Sequence, residues 1–136
     1  MPGFASEDTM RSPLTVLLVS VDPDSLGLAM TPFLEEGYAI ASTPTVDSAV
    51  KLLDPNNPPV LVVLDTREEA DDLRLSAMRI LKTCAFTQIT AVTNIDAQRF
   101  HDAMEGLGML APLPKNPQAA DGARVLTALK TLRGEK

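Results

Sequence analysis

The sequence predicts an α/β fold, a doubly wound parallel sheet of five strands with five flanking helices. Two short runs, 14–19 and 60–64, are almost continuously apolar and rich in β-branched residues, which is typical of strands buried on both faces of a parallel sheet. Segments with helical spacing of apolar residues alternate with such runs, and parallel strands require crossover helices. The length of 136 residues fits one domain with a continuous core.

The first half of the chain predicts the order strand, helix, strand, helix, strand. After the first strand, Asp22 and Pro23 suit a helix N-cap and the first helical position. This helix extends to Gly37 and contains Pro32, where a missing backbone donor should bend the axis. A strand at 38–42 and a helix at 45–53 are predicted next. A turn cluster rich in proline and asparagine, 55–59, then leads to a strand at 60–64.

The second half continues the same alternation and ends in a helix. A helix at 71–83 and a strand at 89–93 are followed by a helix at 97–106. A short strand at 109–113 and a helix at 121–132 complete the predicted elements. Residues 1–12 contain no apolar stretch and predict a flexible tail, so the folded domain is expected over 13–136.

Charge and composition argue against several functional classes. The chain has 12 basic and 18 acidic residues, a net charge of -6, so it lacks the broad positive field that nucleic acids or anionic lipids attract. The single cysteine, Cys84, excludes an internal disulfide and suits a reducing cytoplasm. No run of about 18 apolar residues occurs, so neither export nor membrane insertion is predicted.

Polar residues stand where the predicted strands end, and ligands of doubly wound sheets bind beyond the carboxyl ends of the strands. Asp65 follows the third strand, Thr93 ends the fourth, and Lys115 follows the fifth. The first strand is followed by Ser20 and Val21. A carboxylate, a hydroxyl and an ammonium group are therefore expected to converge on one crevice.

These features resemble the receiver domains of bacterial two-component response regulators, over roughly residues 14–132. The segments that carry the resemblance are Val-Leu-Leu-Val-Ser-Val-Asp-Pro-Asp, Glu-Glu-Gly-Tyr, Leu-Val-Val-Leu-Asp, Ala-Val-Thr and Leu-Pro-Lys. The resemblance implies a flavodoxin-like (CheY-like) sheet of strand order 2-1-3-4-5. It also implies that Asp65 is the phosphoacceptor, that Thr93 binds the phosphoryl group, and that Lys115 pairs with both. The implied protein is a non-enzymatic cytoplasmic signalling domain whose partner is a sensor histidine kinase or another signalling protein.

Other positions depart from the family pattern. Ser20 and Val21 occupy the places of the acidic pair that holds magnesium, and a valine side chain offers no ligand to a hard cation. Magnesium prefers several oxygen ligands in octahedral geometry, so Asp65 with Asp22, one residue late, predicts at most a weak metal site and no resident cofactor. Without a metal ion, Lys115 is expected to pair directly with Asp65.

Departures elsewhere concern the output of the domain. A highly charged stretch, 66–72, replaces the usual Met-Pro-Gly type of loop, Asn94 replaces a small residue, and Asn116 replaces a proline. Pro112 stands where a switching aromatic is usual, and a proline ring has no rotamer that swings between buried and exposed positions. The sequence therefore predicts an atypical receiver with weakened phosphorylation and a preformed interaction surface. The candidate homodimer surface is the face of the fourth helix, fifth strand and fifth helix.

Two alternatives stay open. The first is a conventional phosphorylatable receiver in which Asp22 or Asp24 supplies the missing metal ligand. The second is a flavodoxin-like domain that binds a small molecule, for which the sequence offers no dedicated ligand loop. Asp65 also has a simpler interpretation, since aspartates at strand ends are often only turn formers.

Overall fold

A computed structural model of the protein describes residues 14–134, and the structural statements below apply to that part of the chain. The predicted tail, 1–12, lies outside it. The strands are β1 Thr15–Ser20, β2 Ala39–Thr43, β3 Leu61–Asp65 and β4 Gln88–Ala91. The helices are α1 Gly27–Glu35, α2 Val46–Leu52, α3 Ala70–Thr83, α4 Ala97–Ala103 and α5 Ala119–Leu132, and a 3-10 turn, Pro23–Leu26, precedes α1.

The sheet is parallel throughout, with the strand order β2-β1-β3-β4. Each pair of successive strands is joined through a helix, as parallel pairing requires. The predicted class, a doubly wound α/β fold with five flanking helices, is confirmed. None of the helices in the described part of the chain has the length and apolar character needed to cross a membrane.

The predicted fifth strand, 109–113, lies beside β4 but forms no regular ladder. The N–H groups of Leu110 and Leu113 donate to β4 carbonyl oxygens two residues apart, over 2.9 and 2.8 Å. A regular parallel ladder would place the second donor at position 112, and Pro112 has no N–H. The chain therefore bulges by one residue, and the bridge between Val92 and Leu113 is the remaining β-pairing of this segment. The described sheet thus has four strands, and the fifth segment keeps the edge position.

The helix after β1 differs in detail from its prediction. Its first turn, Pro23–Leu26, is a 3-10 turn, and the α-helix proper begins at Gly27. Pro32 lies inside α1, where it leaves the carbonyl of the exposed Leu28 without its usual helical donor. The helix ends at Glu35, and Gly37 follows in the left-handed region at φ +88°.

The sheet is covered on both faces, as its apolar strands require. In β1, Val16 and Leu18 face the layer formed by α1 and α5, whereas Leu17 and Val19 face α2, α3 and α4. These four side chains are buried, as are all five residues of β3. Burial on both faces explains why the strands read as apolar runs instead of alternating patterns.

Helices α1 and α5 approach each other closely at Gly122. A Cβ atom at this position would overlap the backbone carbonyl of the fully buried Ala29. The far end of the contact is joined by an ion pair of 2.9 Å between Lys130 Nζ and Glu36 Oε1. The spacing of the two helices is therefore set by a position that admits only glycine.

We expect Gly122→Ala to lower the free energy of unfolding by about 3 kcal/mol, because the new methyl group meets backbone that no rotamer change can move aside. The matched control is Gly27→Ala in α1, whose added Cβ would meet no atom within 4 Å. That control should change stability by no more than about 1 kcal/mol, in the stabilising direction. Urea unfolding of both variants checks this, and equal effects would contradict the close contact.

Candidate functional site

Strands β1 and β3 end side by side at the carboxyl edge of the sheet. Their register pairs Ser20 with Asp65, and both residues are buried, with 3% and 6% of their surface exposed. The Ser20 hydroxyl donates to Asp65 Oδ2 over 2.7 Å. A hydrogen bond from a hydroxyl to a carboxylate is charge-assisted, so it is stronger than one between neutral groups. The buried Asp65 therefore has a partner supplied by the neighbouring strand.

The same hydroxyl organises the loop that follows β1. Ser20 Oγ accepts a hydrogen bond of 3.0 Å from the backbone N–H of Asp22, while the Val21 side chain points outward and is 71% exposed. The exposed Asp22 lines a cavity of about 250 Å³ together with Asp65. Asp24 lines a separate groove that does not include Asp65. Of the two aspartates considered as substitute metal ligands, only Asp22 shares a cavity with the candidate phosphoacceptor.

Thr93 and Lys115 lie around the same edge of the sheet. The Thr93 N–H donates to the carbonyl of Leu113 over 2.9 Å, and its hydroxyl oxygen accepts from the N–H of Ile95 over 3.1 Å. No acceptor within residues 14–134 takes the hydroxyl proton of Thr93, so that proton can be donated to a ligand. Asp65 lines two cavities, and Lys115 lines the one that also contains Asp22. Lys115 also lines an adjoining cavity of about 280 Å³ that contains Thr93.

The predicted ion pair between Lys115 and Asp65 is wrong. Among the ion pairs within 4.0 Å in residues 14–134, none includes either residue. The Ser20 hydroxyl already satisfies one carboxylate oxygen, and Lys115 is exposed, so water solvates its ammonium group. The next residue, Asn116, adopts the left-handed conformation at φ +54° and turns the chain.

The charged loop after β3 is anchored instead of freely solvated, which the sequence did not suggest. The Glu68 carboxylate accepts hydrogen bonds from Thr66 Oγ1 at 2.6 Å and from the buried Ser76 Oγ at 2.8 Å. Between them Arg67 adopts the left-handed conformation at φ +60° and lines both cavities described above. The sequence feature that could have indicated this anchor is Ser76, a polar residue on the apolar face of α3.

The side chains at this edge do not fit a magnesium site of the usual receiver kind. The described part of the chain holds no group of three or more His, Cys, Asp or Glu side chains arranged for a metal ion. Asp65 is the one buried carboxylate among residues 14–134, and one of its oxygens already accepts from Ser20. A hard divalent cation held in octahedral geometry needs more protein oxygen than this, and Val21 contributes none.

The parallel order β2-β1-β3-β4 with helices on both faces is a fold that the chain shares with solved response-regulator receiver domains. Solved structures with this fold resemble the chain over most of both lengths. A putative response regulator from Chloroflexus aurantiacus is 16% identical with a TM-score of 0.67, covering 88% of this chain and 99% of that one. A two-component response regulator from Legionella pneumophila is 15% identical with a TM-score of 0.64, covering 87% and 98%.

The pilus assembly protein CpaE from Caulobacter crescentus is also similar, with 17% identity and a TM-score of 0.68, covering 85% of this chain and 98% of that one. The sequence matches no protein-family profile and no curated protein. At these identities the similarity shows the fold and not the chemistry of the site.

We expect Ser20→Ala to lower the free energy of unfolding by about 1 to 3 kcal/mol, because the buried Asp65 carboxylate then loses its hydrogen-bond donor. Ser25→Ala is the matched control, since the Ser25 hydroxyl donates only to the exposed backbone carbonyl of Asp22. The control should cost no more than about 0.5 kcal/mol. Chemical denaturation of the two variants measures the difference, and a Ser20→Ala effect as small as the control's would contradict the contact.

Proposed function

We propose that the chain is a cytoplasmic receiver-type signalling domain in which magnesium-dependent phosphorylation of Asp65 is weak and which acts by binding other proteins. The observation that carries this proposal is the hydrogen bond from Ser20 to Asp65, at the position where the family has a metal-binding acid. A serine hydroxyl in that place satisfies the carboxylate directly. The domain therefore holds its phosphoacceptor without needing a cation.

The chemistry of phosphoryl transfer supports the same conclusion. Moving a phosphoryl group onto a carboxylate brings two negatively charged groups together, and a metal ion normally neutralises that charge. Here Lys115 and Arg67 line the cavity that contains Asp65, but neither pairs with it within the described residues. The positive charge is nearby but does not pair with the Asp65 carboxylate, which predicts slow transfer.

The edge of the sheet also supports a surface that changes little on phosphorylation. The segment 109–113 bulges at Pro112 and is bound to β4 through the N–H groups of Leu110 and Leu113. The Thr93 N–H in turn donates to the carbonyl of Leu113. No aromatic side chain stands at position 112 to respond to Thr93. We infer that the face formed by α4, 109–113 and α5 binds its partner in a preformed state.

The candidate partners for that face are a sensor histidine kinase, another signalling protein, or a second copy of the chain. Two basic residues of α5 are already paired within the chain, Arg124 with Asp121 and Lys130 with Glu36. The exposed Arg99 has no such partner in the described residues and stays available.

One alternative has an observation in its favour. Asp22 lines the cavity that contains Asp65, so a conventional receiver that uses Asp22 as the second metal ligand has a structural basis. The corresponding role for Asp24 has none, because that residue faces another groove. The two proposals differ in whether Asp65 accepts a phosphoryl group efficiently.

Treatment with acetyl phosphate and millimolar magnesium, followed by intact-protein mass spectrometry, separates the two proposals. We expect modification of less than about 5% of the wild-type chain, since Asp65 has no acidic pair beside it to hold magnesium. The double variant Ser20→Asp, Val21→Asp restores the acidic pair and should raise modification about tenfold.

The variant Asp65→Asn is the control that assigns any added mass to Asp65. Predominant modification of the wild type, lost in Asp65→Asn and also in Asp22→Asn, would overturn the weak-phosphorylation proposal and establish the conventional alternative.

A further inference from the structure

Strand β2 is an edge of the sheet whose outer side is unpaired within residues 14–134. Its partner there is β1, in an unbroken register from Ala39 to Thr43. The Ala39 N–H donates over 2.8 Å to the carbonyl of Leu14, directly before β1. Because the backbone groups of successive residues point to opposite sides of a strand, the N–H and C=O groups of Ile40 and Ser42 point outward. These groups can hydrogen-bond a further strand.

This edge carries none of the features that usually prevent strand addition. Native edge strands are commonly blunted by charged side chains, prolines or bulges. The β2 sequence, Ala-Ile-Ala-Ser-Thr, contains no charge and no proline, and its register with β1 shows no bulge. At the opposite edge of the sheet, the bulge at Pro112 interrupts regular pairing. Of the two edges, β2 is therefore the one suited to accept a strand.

A largely apolar groove lies beside β2 on each face of the sheet. On the α1 face the groove has a volume of about 310 Å³, and its lining includes Ile40 with Met30 and Leu34 of α1. On the α2 face the volume is about 240 Å³, and the lining includes Ala41 and Leu52. Leu34 and Leu52 are 56% and 63% exposed. Since successive side chains of a strand point to opposite faces, an added strand places its side chains in the two grooves in turn.

The charged residues that line the two grooves are both acidic. Asp24 lies near the carboxyl end of β2, and Asp54 lies near its amino end. Both are exposed, and neither forms an ion pair within residues 14–134. Lys51 is exposed on α2 beside Leu52 but lines neither groove. An apolar edge with an acid at each end is complementary to a segment with a base at each end, whichever direction that segment runs.

We propose that β2 binds an extended segment of a partner protein as an additional strand, and that about five β-branched or small apolar residues of this segment are flanked by basic ones. Main-chain hydrogen bonds to Ile40 and Ser42 give affinity, and side chains in the two grooves give selectivity. A second copy of β2 fits less well, because it brings its own Asp24 and Asp54 against the same acids.

This inference goes beyond the proposed function, because it concerns a different surface. Strand β2 lies at the edge of the sheet opposite to the segment 109–113 and the face proposed above. Binding there requires no reaction at Asp65. A result at this edge is therefore independent of the acetyl phosphate experiment.

The test is a titration of the full chain with the peptide Lys-Lys-Val-Thr-Val-Thr-Val-Lys-Lys, blocked at both ends, followed by ¹⁵N-¹H NMR. We expect saturable shifts that are larger at the amides of Ile40 and Ser42, whose N–H groups point outward, than at those of Ala39 and Ala41. Hydrogen exchange of the Ile40 and Ser42 amides should also slow on binding. A peptide with proline in place of the central valine should not bind, because it lacks a main-chain donor.

Ser42→Pro removes one outward N–H and leaves the N–H groups that face β1, so it should weaken binding about tenfold or more. Ser42→Ala is the matched control, since it keeps the N–H, and it should change binding by less than about twofold. Asp24→Asn and Asp54→Asn should each weaken binding about threefold. Asp72→Asn removes an equal charge from an exposed position on α3 that lines neither groove, and it should leave binding unchanged.

Lack of saturation at millimolar peptide would overturn the proposal, as would equal weakening in Ser42→Ala or equal binding of a peptide with glutamates in place of its lysines. Concentration-dependent shifts of Ile40 and Ser42 without peptide would assign the edge to a second copy and contradict the proposed partner. Slow exchange of both amides in the dilute free chain would contradict it too, since the chain itself would then cover the edge. If Ser42→Pro does not fold, the wild-type shifts and the two aspartate variants decide the outcome.

Discussion

The hydrogen bond between Ser20 and Asp65 is the contact on which the arrangement of the site depends. It follows from the parallel register of β1 and β3, which sets the two residues beside each other at the buried edge of the sheet. A buried carboxylate without a partner would be costly, and the neighbouring strand supplies that partner. Because the serine hydroxyl also accepts from Asp22 N–H, one side chain positions both the acid and the loop that borders it. Lys115 is left exposed, and its charge is available for other contacts.

The geometry of the far edge depends on a second constraint, the missing N–H of Pro112. The resulting bulge replaces a fifth strand by a segment held through a few hydrogen bonds to β4, one of them from the Leu113 N–H. Since the chain reaches Lys115 directly after this segment, the bulge contributes to where that cation lies. On the opposite side of the sheet, the contact at Gly122 fixes how closely α5 approaches α1. Local backbone chemistry at two residues thus shapes both elements of the last βα unit.

Most of the fold could be predicted from the sequence because apolar runs and helical periodicity report directly on strands, helices and their order. The grouping of Asp65, Thr93 and Lys115 around adjoining cavities was also predictable, since parallel strands end at one edge. The partner of Asp65 was not, because it depends on the register between strands 45 residues apart and on competition between a hydroxyl and an ammonium group. The anchoring of Glu68 by Ser76 was missed for a similar reason, since a charged stretch gives no sign of which acid turns inward.

We propose that Ser20 takes the place of a metal ligand at Asp65 and leaves no effective magnesium site. Magnesium titration followed by ¹⁵N-¹H NMR tests this most directly, through the backbone amides of Ser20, Asp22 and Asp65. At constant ionic strength the account predicts no saturable shift at these amides below about 10 mM magnesium, because one buried carboxylate cannot replace the ion's hydration shell. Saturable shifts of all three amides at lower concentrations, lost in Asp65→Asn, would contradict it.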